Sequence, residues 1–282
     1  MRRAPPASPV GAPGGSRGVH TMTRLHLRPR YYRWHVDPGI DWVETNTGYG
    51  YLEWDIPLHQ TALVLVDVWD GHYLRDTEAR SEEIVQHRIL PLLRASREAG
   101  MPVIHAPGPG LAEKHPAWVR LISEEERNPD PVEDWPPPEF TAKTGSYEEY
   151  AKPHEPREEE LVRRRGNRRI HPSVTVQSAE PVITNGLELH RYCRKAGILF
   201  LFYAGFNTNA CILLRDYGTV AMHRRGYEVI IVRDCGTGME SFETHDALLQ
   251  TRAAVLFLEM FGKYSVTSED LIEGLMHGRK RR

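Results

Sequence analysis

The sequence predicts a three-layer α/β fold, a mainly parallel sheet with helices on both faces, on three observations. Short runs of β-branched residues and leucine recur along the chain, too uniformly apolar for strands with one wet face. Segments with apolar residues at helical spacing separate these runs. Three of those segments stop at a glycine (Gly100, Gly197, Gly226), the residue that most easily takes the left-handed turn past a helix end. Right-handed crossovers then place helices on both sides of the sheet.

The elements follow in order. "TALVLVD" (61–67) reads as a strand buried on both faces, and residues 81–99 carry Ile84, Ile89, Leu92, Leu93 and Ala99 on one helical face. "MPVIHA" (101–106) is a second strand and "SVTVQ" (173–177) a third, followed by a helix over 184–196. "ILFLFYAG" (198–205) is a fourth strand before a helix over 209–225, and "YEVIIVRD" (227–234) a fifth before a helix over 243–260. "YSVTS" (264–268) closes the series. Thr184 with Glu188, and Thr267 and Ser268 with Glu269, read as helix-start chemistry.

The sheet-forming region is expected over 61–275. Residues 1–21, rich in Pro, Gly, Ala and Arg, read as a disordered tail or as sequence ahead of a start at Met22. Residues 22–60 form an extension with aromatic anchors, Tyr31, Tyr32, Trp34, Trp42 and Trp54. The Pro-rich, charged stretch 107–172 reads as an inserted lid or interface segment, and 276–282 as a solvated basic tail.

Bulk properties exclude several classes. The 282 residues carry a formal charge of −2, so no whole-chain field draws the protein to nucleic acid or a membrane surface. No apolar run approaches the roughly 18 to 20 residues of a membrane span. Three cysteines argue against a disulfide framework and for the cytoplasm. Neither a G-x-G-x-x-G turn after a strand nor a Walker-type lysine loop is present, so no nucleotide cofactor is expected.

In an open α/β sheet, ligands bind past the carboxyl ends of the strands. That rule selects Asp67, His105, Gln177, Ser178, Cys211 and Asp234. Cys211 sits at the start of the 209–225 helix, to one side of the stripe formed by Ala210, Leu213, Leu214, Tyr217, Val220 and Ala221. There the helix end would favour thiolate, although a buried inert cysteine is the bland alternative. Asp67 ends a wholly apolar strand, a costly place for a carboxylate unless it has partners, and could act as a general base or merely cap a turn. Cys193 and Cys235 fit core positions.

"LVLVDVWDGH", "GFNTNACILLRDYGTVAMHRRGYEVIIVRD" and "THDALLQTRAAVLF" together resemble the isochorismatase-like cysteine hydrolases, a superfamily that includes nicotinamidases and N-carbamoylsarcosine amidases. The resemblance covers about 61–271 apart from the insertion. It implies a six-stranded parallel sheet and a homo-oligomer acting on a small-molecule substrate. It implies Cys211 as the nucleophile that cleaves a C–N bond of an amide or carbamoyl compound through a thioester, and Asp67 as its base. It further implies a cis peptide at Phe206–Asn207 that presents the N–H of Asn207, with that of Cys211, to the oxyanion. His72, His105, Gln177, Ser178 and Phe206 are the expected substrate contacts.

One family feature is missing. The lysine that completes the triad should fall near Ser178, and no lysine lies between Lys152 and Lys195. Lys143 could fold back from the insertion, or Gln177, Ser178 or Glu180 could orient substrate in its place. An inactive relative that binds a metabolite or partner in the same crevice is the alternative function. The nicotinamidase metal site needs an Asp-x-His after the second strand. His105 and His115 lack it, and Asp70 and His72 follow the wrong strand, so no metal is expected. His245 is expected in a helix contact.

Overall fold

A computed structural model describes residues 23–127 and 135–280. The expected N-terminal tail, the alternative start at Met22 and the last two residues of the basic tail lie outside the described residues. The extension, read as aromatic anchors, folds into four short strands: β1 (Arg24–Leu27), β2 (Arg30–Arg33), β3 (Gly48–Tyr51) and β4 (Trp54–Pro57). β1 and β4 form an antiparallel ribbon, while β2 and β3 join the edge of the main sheet. The Arg30 guanidinium fixes β2 by pairing with the buried carboxylate of Glu259 (2.8 Å).

The central strand β5 (Thr61–Val66) is buried along its whole length. Its two-residue period sorts the side chains. Leu63 and Leu65 pack into one apolar cluster, and Ala62, Val64 and Val66 into another on the opposite face. Next come α1 (Arg75–Ile84), a π-helical stretch over Val85–Ile89, and α2 (Leu90–Ala99), which ends at Gly100. The helix expected over 81–99 therefore begins earlier. β6 (Val103–Ala106) follows.

Among its described residues the insertion carries short helices, α3 (Pro109–Ala112), α4 (Glu124–Arg127), α5 (Pro138–Ala142) and α6 (Glu158–Gly166), and a 3-10 turn over Gly145–Tyr150. After α7 (Gly186–Ala196) and β7 (Phe200–Gly205), the helix expected over 209–225 is split into α8 (Cys211–Leu214) and α9 (Thr219–Arg224). The chain ends with β8 (Glu228–Val232), α10 (Leu249–Met260), β9 (Tyr264–Val266) and α11 (Ser268–Lys280). α11 takes in most of the stretch read as a basic tail. His245 lies ahead of α10, half-exposed, with Nε2 3.1 Å from Asp76 in the first turn of α1.

The sheet is seven-stranded, in the order β3-β2-β9-β8-β7-β5-β6. Its five strands from β9 to β6 are parallel, and β2 and β3 are antiparallel additions. The strand expected at 173–177 does not form. The Thr175 carbonyl is taken by the Arg97 side chain (2.7 Å) instead of a ladder partner. What remains of a further strand is Val182, bridged in parallel to His105 and Trp118. Cys193 and Cys235 are fully buried in the two core clusters.

Candidate active site

β5 and β7 run side by side with Val66 opposite Gly205, so the loops that follow them meet at one edge of the sheet. Asp67 leaves β5 in a left-handed turn (φ 48°) with its N–H on the Ala106 carbonyl (3.0 Å). Its side chain is fully buried, and neither oxygen has a hydrogen-bond partner. Gly108 lies beside it: a Cβ there would stand 3.4 Å from Asp67 Oδ1, an ordinary contact. Burial pushes the Asp67 carboxyl up to about 6, opposed by the neighbouring Cys211 thiol and by the charges of Arg215 and Arg168.

After Gly205 the peptide Phe206–Asn207 is cis. Both residues are buried and line a cavity of about 30 Å³ together with Asp67, Trp69 and His72. Among the described residues, no acceptor takes the N–H of Asn207 or of Cys211. Both N–H groups are therefore free to donate to an incoming acceptor.

Cys211 is half-buried and opens α8. The sequence suggested that a helix start would favour thiolate, but the thiol is pushed up to about 11. Burial is the largest cause and the Asp67 charge the next, with Arg215 opposing them. α8 is only four residues long, so its dipole is small against these effects. At neutral pH the resting pair is an ionised carboxylate beside a neutral thiol.

The other expected contacts divide. His72 lines the cavity, stacked on Tyr73, and its Nδ1 accepts the Leu74 N–H (3.0 Å). Burial and the Arg168 charge lower its pKa. His105 is buried against Glu180 (Nε2 to Oε2, 2.8 Å), and Gln177 and Ser178 are exposed. None of these three lines the cavity. Glu180 is occupied by Arg97, His105 and the Gln177 N–H, so it is not free to orient a substrate. Lys143 does not fold back: its Nζ donates to the Phe140 carbonyl (2.8 Å) and lies 3.4 Å over the Phe140 ring. Among the described residues, no group of three His, Cys, Asp or Glu side chains is placed to hold a metal ion.

Burial raises the Glu180 carboxyl, but hydrogen bonds from His105 and Arg97 outweigh it and hold the carboxyl at about 2. A depressed carboxyl contributes stability that is complete above pH 4.5 and is lost as pH falls toward 2. Glu180→Gln is therefore expected to lower the unfolding free energy by about 2 kcal/mol at pH 7 and by little near pH 2. Urea unfolding at the two pH values checks this.

The sequence reading missed the cationic groups. Arg215 lies four residues beyond Cys211, and its charge acts on both the thiol and Asp67. Arg168 comes from the insertion and lies 4.0 Å over the Trp69 ring. The four-residue spacing from Cys211 could have pointed to Arg215, since residues so spaced share a helix face. Nothing local points to Arg168.

A cysteine hydrolase from Pseudomonas syringae pv. phaseolicola is similar in fold, with a TM-score of 0.52 at 18% identity over 80% of this chain and 96% of that one. An isochorismatase from Pseudomonas putida has a TM-score of 0.47 at 14% identity, covering 76% and 91% of the two chains. The N-carbamoylsarcosine amidase of Thermoplasma acidophilum has a TM-score of 0.40 at 15% identity, covering 74% and 97%. No curated protein matches the chain significantly. The family model described as the isochorismatase domain matches residues 61–260, which hold Asp67, Cys211 and every parallel strand but the last. The chain belongs to the isochorismatase family, whose members are generally hydrolases.

Proposed function

We propose that the protein is a cysteine hydrolase that cleaves a C–N bond of a small amide or carbamoyl compound. The observation that carries this reading is the buried Asp67 carboxylate, without a hydrogen-bond partner, beside the Cys211 thiol. With the carboxyl at about 6 and the thiol at about 11, full proton transfer in the resting site is uphill. Transfer to Asp67 must then accompany attack of sulfur on the carbonyl carbon. The oxyanion would take the N–H groups of Asn207 and Cys211, with Arg215 offsetting charge near the sulfur. Protonated Asp67 would return its proton to the leaving nitrogen as the C–N bond breaks, leaving a thioester. Water, deprotonated by Asp67, would hydrolyse the thioester and restore the thiol. The three cysteines are free, as the cytoplasm would keep them.

A binding role without chemistry is the second reading, favoured by the raised thiol. The test is amine or ammonia release from a panel of small amides and N-carbamoyl compounds, alongside the burst from p-nitrophenyl acetate. Mass spectrometry of the Cys211 peptide would detect the acyl group. We expect acylation on Cys211 alone and a loss of about 10⁴-fold or more in Cys211→Ala. A folded protein that never acylates at Cys211, even with the activated ester, is a binding protein.

A further inference from the structure

Ionised Asp67 has no hydrogen-bond donor to hold its charge, so the charge rests on what faces it across the site. The Cys211 thiol does most to favour it, and the charges of Arg215 and then Arg168 follow. Arg168 is brought there by pairing. Residues 169–171 run antiparallel to 68–70, with the Asp70 N–H on the Arg169 carbonyl (3.0 Å) and the His171 N–H on the Val68 carbonyl (2.9 Å). The Arg169 N–H returns to Asp70 Oδ1 (2.9 Å), and Trp69 bridges Ile170. This seats the Arg168 guanidinium on the Trp69 ring, a favourable place for a cation. A Cβ on Gly108 would touch both the edge of this indole (3.9 Å) and Asp67 Oδ1 (3.4 Å), so the Trp69 ring and the carboxylate share a neighbour. Elsewhere on the insertion Arg157 and Arg164 are paired with Glu160, whereas Arg168 has no ion pair among the described residues.

We propose that Arg168 is a positioning residue: held on Trp69 by the insertion, its guanidinium keeps Asp67 ionised so that Asp67 can take the Cys211 proton. The inserted segment is then part of the active site. This inference rests on the reading of Asp67 and Cys211 as base and nucleophile. The other groups around Asp67 are few. Cys211 at the start of α8, Arg215 just past its end and Tyr217 in the loop beyond all interact with it. Asp70, His72, Glu78 and Glu82 line the cavity, but Asp70 accepts the Arg169 N–H, Glu78 accepts the His72 N–H, and Glu82 accepts from Gln86 and pairs with His171. Arg165, over Tyr73, is a like charge that acts on Arg168.

The test is the pH dependence of iodoacetamide alkylation at Cys211, with buried Cys193 and Cys235 as controls. It needs no knowledge of the substrate. In the wild type the rate should rise as Asp67 ionises, and Asp67→Asn should lack that rise. Arg168→Gln is expected to move its midpoint up by about half a pH unit, making alkylation about threefold slower below the midpoint. Arg168→Lys keeps the charge and should restore most of the shift, and Arg164→Gln should leave the midpoint in place. An unmoved midpoint in Arg168→Gln, with the wild-type rise intact, overturns this proposal alone. Equal shifts in Arg168→Gln and Arg168→Lys overturn it too, because Arg168 would then act by packing on Trp69. A wild type without an Asp67-dependent rise overturns it together with the base and nucleophile reading.

Discussion

Asp67→Asn is expected to abolish turnover and, at neutral pH, to make the protein harder to unfold. The two effects share one cause. An ionised carboxylate held in the interior without a donor is a poor structural feature and a strong base. Its pKa is about 6 in the fold against an ordinary 3.8. Between those values the folded state binds the proton that the unfolded state has released, so stability falls as pH rises through this window. Above pH 6 the full cost is present, about 3 kcal/mol for a shift of this size. Asn removes the charge and should recover much of that amount at pH 7.5, with the gain shrinking toward zero below about pH 4. Loss of the base should lower kcat/KM by about 10³-fold or more. Urea unfolding across pH 4 to 8 measures the stability change, and a variant less stable than wild type at pH 7.5 would show that Asp67 serves the fold. Stability traded against activity at a single residue is what an active site produces and a core carboxylate does not.

What the sequence revealed and what it hid divide along the reach of the interactions. β5, β7 and β8 were legible because a strand buried on both faces must be apolar throughout. Asp67 and Cys211 were legible because each lies just past such a strand. Residues 173–177 misled: β-branched Val174, Thr175 and Val176 read as a strand, but Pro172 and Pro181 flank them and Arg97 takes the carbonyl a ladder would use. The break between α8 and α9 had a visible sign in Gly218, where a Cβ would stand 2.8 Å from the carbonyls of both Ile212 and Arg215. The direction of the Cys211 shift was misjudged because the helix start was local and evident. The larger effects, burial and the Asp67 charge, belong to the assembled site. Arg168 was illegible for the same reason. It reaches the site through backbone pairing between segments about a hundred residues apart, and an arginine in "RRRGNRR" has nothing local to mark it out.

The same assembled geometry makes Gly205 the least replaceable residue near the site. It ends β7 at φ 122°, a conformation open to glycine and strained for other residues. A Cβ there would fall 2.0 Å from the Val66 carbonyl oxygen. That oxygen also accepts the Phe206 N–H (2.9 Å), and the Gly205 N–H is tied to the Cys235 carbonyl (2.8 Å). Neither strand can yield without breaking a bond that sets the distance from Asp67 to Asn207 and Cys211. Gly205→Ala is therefore expected to cost more than about 4 kcal/mol, enough to leave much of the chain unfolded. Gly197→Ala is the control. Gly197 is also left-handed, at φ 72°, but a Cβ there meets nothing within 4 Å, so only the backbone preference of about 1 kcal/mol is at stake. Thermal melts of the two variants separate the contact from the conformation. Similar losses would mean that the approach of β7 to β5 is not what Gly205 protects. A large excess for Gly205→Ala would tie the join of the two strands, and through it the spacing of base and nucleophile, to the absence of one methyl group.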